Sequence, residues 1–136
     1  SSSNATQKDT NMVQALFNTM GQSIIIEENM MSAATALCAC GIAFFLRTIR
    51  AASQGGVEIG FHAGDALKIA AQTALGAAKL LTENNSHPEQ EIDKVTSPKG
   101  CTIAGLNEME YQGLSSAMIK GIKLSADIAN NLYKAS

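Results

Sequence analysis

The chain has no tryptophan, and only two prolines, three cysteines and 4% aromatic residues among its 136 positions. A core without large rings has to be assembled from Ala, Leu, Ile and Met, side chains that suit close helix packing. Three cysteines are an odd set in a chain with ample apolar residues, which excludes a disulfide framework. Cys38 and Cys40 stand two apart and point to nearly opposite faces of a helix, so they cannot bridge. All three are expected as free, core-type thiols in a reducing cytosol, which places the protein in the cytoplasm. Charge is also scarce: 10 basic against 12 acidic residues leave a net charge of -2, with no basic tract to attract nucleic acid. The most apolar stretch, residues 33–46, falls short of the roughly 20 residues a bilayer demands, and Arg47 and Arg50 follow it, so no membrane partner is expected. No G-x-G-x-x-G follows a strand, and Gly55, Gly56 and Gly60 come after a helical pattern, so these residues hold no phosphate cradle for a dinucleotide. Cys38, Cys40, Cys101, His62 and His87 match no zinc spacing, and both histidines read as loop residues making turn-side hydrogen bonds. No metal site is expected.

What is present is helical. Hydrophobic residues make up 46% of the chain, enough for one packed domain. Residues 1–5 read as a cloning scar. A first helix is predicted over 9–20, capped by Asp9 or Thr10, with Met12, Leu16 and Met20 on one face and Gly21 as its stop. Ser23, Ile24, Ile25 and Ile26 form the one β-branched run that reads as a strand, so residues 6–27 look like the end of an α/β domain. A long helical segment then covers 29–55, with Gly41 its likeliest irregularity and Gly55-Gly56 its end. The helix predicted over 65–82 carries Leu67, Ala70, Ala71, Ala74, Ala77, Ala78 and Leu81, while Ile69, Thr73, Leu75 and Leu80 widen the stripe beyond one face. A helix that is apolar on two sides calls for a second packing partner, and another subunit is the expected one. Shorter helices follow, the first with Pro88 in its opening turn and the second over 102–112, and Gly113 separates these from a last helix over 114–133. Met30, Met31, Phe44, Phe45 and Met118 fit core or interface packing better than any cofactor box.

The chemistry concentrates in residues 97–102. Ser97 is predicted as an N-cap and Pro98 as the first helical position, with Lys99, Gly100, Cys101 and Thr102 alongside. The first turn of a helix leaves N–H groups unpaired, and the helix dipole adds partial positive charge, so this segment can cradle a carboxylate. An ordinary capped helix start has the same pattern.

The run Asp93-Lys94-Val95-Thr96-Ser97-Pro98-Lys99-Gly100-Cys101-Thr102-Ile103-Ala104-Gly105-Leu106 closely resembles the signature of pyrroline-5-carboxylate reductases. The likeness continues upstream through residues 70–81 and His87-Pro88, and downstream through Glu110, Gly113 and Ser116-Ala117-Met118-Ile119. Leu16 to Gly21 resembles the helix that closes the family's cofactor domain. The resemblance implies an all-α dimerisation domain of the 6-phosphogluconate-dehydrogenase C-terminal-like type over 28–136, preceded by a helix-strand remnant of a Rossmann domain over 6–27. It implies a homodimer or higher homo-oligomer. It also implies reduction of 1-pyrroline-5-carboxylate to L-proline by hydride from NADPH, with NADH as the other possible donor. The cofactor belongs to the full-length protein; none is expected in these 136 residues, which are expected to be inactive alone. By the same match, Ser97 and the backbone of Gly100 and Cys101 hold the substrate carboxylate, and Thr102, the catalytic candidate, stands near the imine nitrogen. A protonated imine needs no strong acid, so positioning carries most of the catalysis.

The chain departs from the family pattern at three places. Lys99 replaces a glycine, so a positive φ there would be strained, while its charge could add to the carboxylate site. Residues 39–43 lack the family's proline and one glycine and carry Cys40 for its serine, which favours a more continuous helix. Asn85 stands where an acidic residue is frequent. These departures leave room for a non-catalytic oligomerisation module, and a related imine or hydroxyacid reductase shares the same two-domain plan.

Overall fold

The computed structural model describes residues 4–135, and every regular element among them is helical. Of residues 1–5, only Asn4 and Ala5 fall inside that range. The first helix, α1 (Gln7–Phe17), starts earlier than its sequence pattern predicts. Thr6, not Asp9 or Thr10, is the cap. Its hydroxyl accepts the Asp9 N–H at 3.3 Å while the Asp9 carboxylate accepts the Thr6 N–H at 3.0 Å, a reciprocal pair that places Asp9 inside the first turn. The Thr6 hydroxyl also donates to the Asp9 carboxylate, and this bond first, then the one from the Thr6 N–H, holds the Asp9 carboxyl below its ordinary value. The helix ends before reaching Gly21, because Asn18 serves as C-cap and its side-chain oxygen accepts the Ser23 N–H at 3.0 Å and hydroxyl at 2.6 Å, turning the chain back.

The strand expected at Ser23, Ile24, Ile25 and Ile26 is not formed. Residues 22–27 carry no regular structure, and Ile24, Ile25 and Ile26 line a groove with Val13 and Phe17 of α1. The reason is cooperative. A strand is defined by ladder hydrogen bonds to a neighbour, and the described residues contain no second strand.

From Glu28 to Glu58 the chain is helical throughout: a 3₁₀ turn (Glu28–Met30), α2 (Met31–Ala34), a π-helical turn (Thr35–Cys40) and α3 (Gly41–Glu58). The irregularity predicted at Gly41 is this π turn, which ends immediately before it. The predicted end at Gly55-Gly56 does not occur. Two interior glycines cost a helix about 1 kcal/mol each, but Gly56 gives room for α4 (Ala63–Asn84), since a Cβ there would lie 3.1 Å from the Ala66 Cβ. Helices α3 and α4 pack on each other as a hairpin, with Ser53 and Ala66 buried. The Phe61 N–H closes the connection on the Gly56 carbonyl at 3.0 Å. The 31-residue helix is long and apolar enough to cross a membrane by length and composition, which the 33–46 stretch alone is not. An interhelical interface accommodates the same apolar faces.

Helix α4 ends at Asn85, whose φ of 50° is the left-handed conformation asparagine tolerates. Then come α5 (Pro88–Lys94), α6 (Cys101–Tyr111) and α7 (Leu114–Ala135). Pro88 occupies the predicted first helical position, and His87 plays the turn role expected of it: its Nδ1 accepts the Glu89 N–H at 3.3 Å. The chain divides into two units, one of residues up to Cys40 with those from Ile122 onward, the other Gly41–Gly121. In the first, Ala36 and Ala129 are buried, and the Thr35 and Tyr133 hydroxyls meet at 3.0 Å. In the second, Ser53 and Ala66 are buried while Leu67, Ile69, Leu75 and Leu80 of α4 remain exposed. The cysteines are free, but Cys38 and Cys101 are exposed and not core thiols.

Candidate functional site

The local sequence Thr96-Ser97-Pro98-Lys99-Gly100 builds a tight turn between α5 and α6. Thr96 anchors it, its hydroxyl donating to the Ile92 carbonyl at 2.8 Å. Pro98 fixes the backbone at the second turn position, and the Gly100 N–H closes the turn on the Ser97 carbonyl at 2.9 Å. Lys99 then takes φ 59°, the left-handed value that the third position of a type II turn demands and that glycine usually supplies. This is the strain its side chain implies from sequence. Gly100 has an ordinary φ of -74°, so its requirement is space. A Cβ there would overlap the Ser97 hydroxyl oxygen and stand 3.0 Å from the Ser97 carbonyl oxygen.

This turn corrects the predicted capping. Ser97 is not the N-cap and Pro98 is not the first helical residue. Gly100 is the N-cap, without any side-chain hydrogen bond, because the closed turn uses up the residues between Ser97 and the helix. The Gly100 N–H, expected to meet a carboxylate, is already engaged inside the turn. The Ala104 N–H reaches the Gly100 carbonyl at 3.4 Å, which leaves Cys101, Thr102 and Ile103 as the first-turn residues whose N–H groups have no acceptor among the described residues. No acidic side chain occupies that turn. Ser97, Lys99 and Cys101 are exposed; Gly100, Thr102 and Ile103 are half-buried.

The five predicted site residues therefore lie in one turn and one helix start. Three amides without an acceptor among the described residues, the positive end of an eleven-residue helix, two hydroxyl-bearing residues and one lysine all fall within residues 97–103. Unpaired amides at the positive end of a helix are the general chemistry of anion sites. Among the described residues, no group of three or more His, Cys, Asp or Glu could hold a metal. No strand among the described residues leads into a glycine-rich turn. Sequence reasoning missed the Thr35–Tyr133 contact; pairing of residues so far apart has no local signal.

A family model described as "Pyrroline-5-carboxylate reductase dimerisation" matches residues 28–132. The chain is 67% identical over 122 residues to "Pyrroline-5-carboxylate reductase 1" of Dictyostelium discoideum, covering 90% of this chain and 22% of that protein. A solved 1-pyrroline-5-carboxylate reductase from Streptococcus pyogenes aligns at 32% identity with a TM-score of 0.87, over 96% of this chain and 50% of that one. A Plasmodium falciparum pyrroline carboxylate reductase, solved with NADP bound, shares the fold at 24% identity and a TM-score of 0.84, over 94% of this chain and 49% of that one. The chain thus spans at most about half the length of these proteins.

Proposed function

Because the chain belongs to the pyrroline-5-carboxylate reductase dimerisation family, whose name entails a homo-oligomer, we propose that it is the substrate-binding and subunit-pairing part of an enzyme reducing 1-pyrroline-5-carboxylate to L-proline. NADPH supplies the hydride in this reading, with NADH as the other possible donor, held by sequence outside these 136 residues. Residues 6–27 belong with that cofactor portion and 28–136 form the helical domain. The protein works in the cytoplasm, a placement supported by its three free cysteines.

The observation that carries the reading is the start of α6. The Cys101 and Thr102 N–H groups donate to the substrate carboxylate, the Ser97 hydroxyl donates from the preceding turn, and Gly100 keeps that hydroxyl clear of any Cβ. Fixing the carboxylate fixes the ring, so the imine carbon faces the hydride donor while the nitrogen lies toward the half-buried Thr102. An imine bound in its protonated form takes up hydride at carbon and keeps its proton at nitrogen, which leaves Thr102 a positioning task.

The test is NADPH oxidation driven by pyrroline-5-carboxylate in the full-length protein, with proline measured as product. Ser97→Ala and Thr102→Ala are expected to raise KM about tenfold each, the effect of one hydrogen bond to a charged group. Absence of turnover from a folded parent that binds NADPH would leave a pairing domain without chemistry. Unchanged KM and kcat in both variants would remove the carboxylate cradle.

A further inference from the structure

We draw no further inference here: the strongest candidate, the apolar groove between α1 and residues 22–27 lined by Val13, Phe17, Ile24 and Ile25, carries nothing because nothing in the structure shows what covers it.

Discussion

Gly100→Ala isolates the steric requirement of the turn from its conformational one. At φ -74° and ψ 163° the backbone suits alanine, so any penalty comes from contact. The new methyl overlaps the Ser97 hydroxyl oxygen and lies 3.0 Å from the Ser97 carbonyl oxygen. The hydroxyl can rotate away, at the loss of the place proposed for it beside the substrate carboxylate. The carbonyl cannot withdraw without lengthening the 2.9 Å bond from the Gly100 N–H that closes the turn. Overpacking of this kind costs about 1–3 kcal/mol, which corresponds to a fall in Tm of about 2–4 °C for each kcal/mol in a protein of 150–250 residues. The assay pairs thermal unfolding with KM for pyrroline-5-carboxylate. Both should worsen. In a Ser97→Ala background the hydroxyl is already gone, so the added cost of Gly100→Ala should shrink by at least about 0.5 kcal/mol, as for directly contacting residues. A Gly100→Ala protein that melts with wild type and keeps its KM would refute the reasoning, since it would mean the turn gives way without cost.

Gly56→Val pushes branched carbons into a gap where a Cβ alone would lie 3.1 Å from Ala66, so it should separate α3 from α4 and lower stability by about 2 kcal/mol. Gly55→Ala, with nothing within 4 Å of its new methyl, should instead stabilise the same helix by up to about 1 kcal/mol, and chemical denaturation distinguishes the two. Lysine at both Ile128 and Leu132, which are 53% and 68% exposed on α7, should lower the mass seen by sedimentation if that face is covered by a second copy. The Glu91 carboxyl is held below its ordinary value of 4.5, first by the Lys94 ammonium at 2.7 Å and then by the Ser86 hydroxyl. Its stabilising contribution is therefore full above that ordinary value and is lost as pH falls through the lower folded one, so Glu91→Gln should flatten the acid limb of a Tm-against-pH curve.

The helices were legible because their signals are local. Pro88 at a first turn, the apolar stripe of α4 and the irregularity beside Gly41 all depend on residues within one or two turns. The five candidate residues fall together for the same reason, lying within six consecutive positions. What local reading misplaced was the cap. Ser97 followed by Pro98 has the pattern of a helix start, but the same pair also begins a type II turn, and the outcome depends on Lys99 accepting a positive φ. The Gly55-Gly56 pair misled in the opposite sense. Two glycines read as a break until Ala66, ten residues beyond Gly56 and on the next helix, makes the smallness of Gly56 a packing requirement.

The remaining failure, the strand at Ser23–Ile26, and the exposure of so many apolar residues share one physical origin. A β-branched run becomes a strand only when a neighbour supplies its ladder, and an apolar helix face becomes core only when something lies on it. The sequence records the demand in both cases, as the Ile24-Ile25-Ile26 run and as a stripe on α4 too wide for one side. Within the chain, α3 meets part of the demand on α4, at Ser53 and Ala66, yet Leu67, Ile69, Leu75 and Leu80 stay 42–50% exposed. Burying a leucine or isoleucine fully is worth about 1.5–3 kcal/mol, so four half-exposed side chains on one helix hold back several kcal/mol against a net folding stability of only about 5–15 kcal/mol. For a member of a dimerisation family this sets the order of events. The helices can form on local signals, but much of the stabilisation from burying these faces is available only on association, so folding and subunit pairing should be thermodynamically linked and Tm should rise with protein concentration.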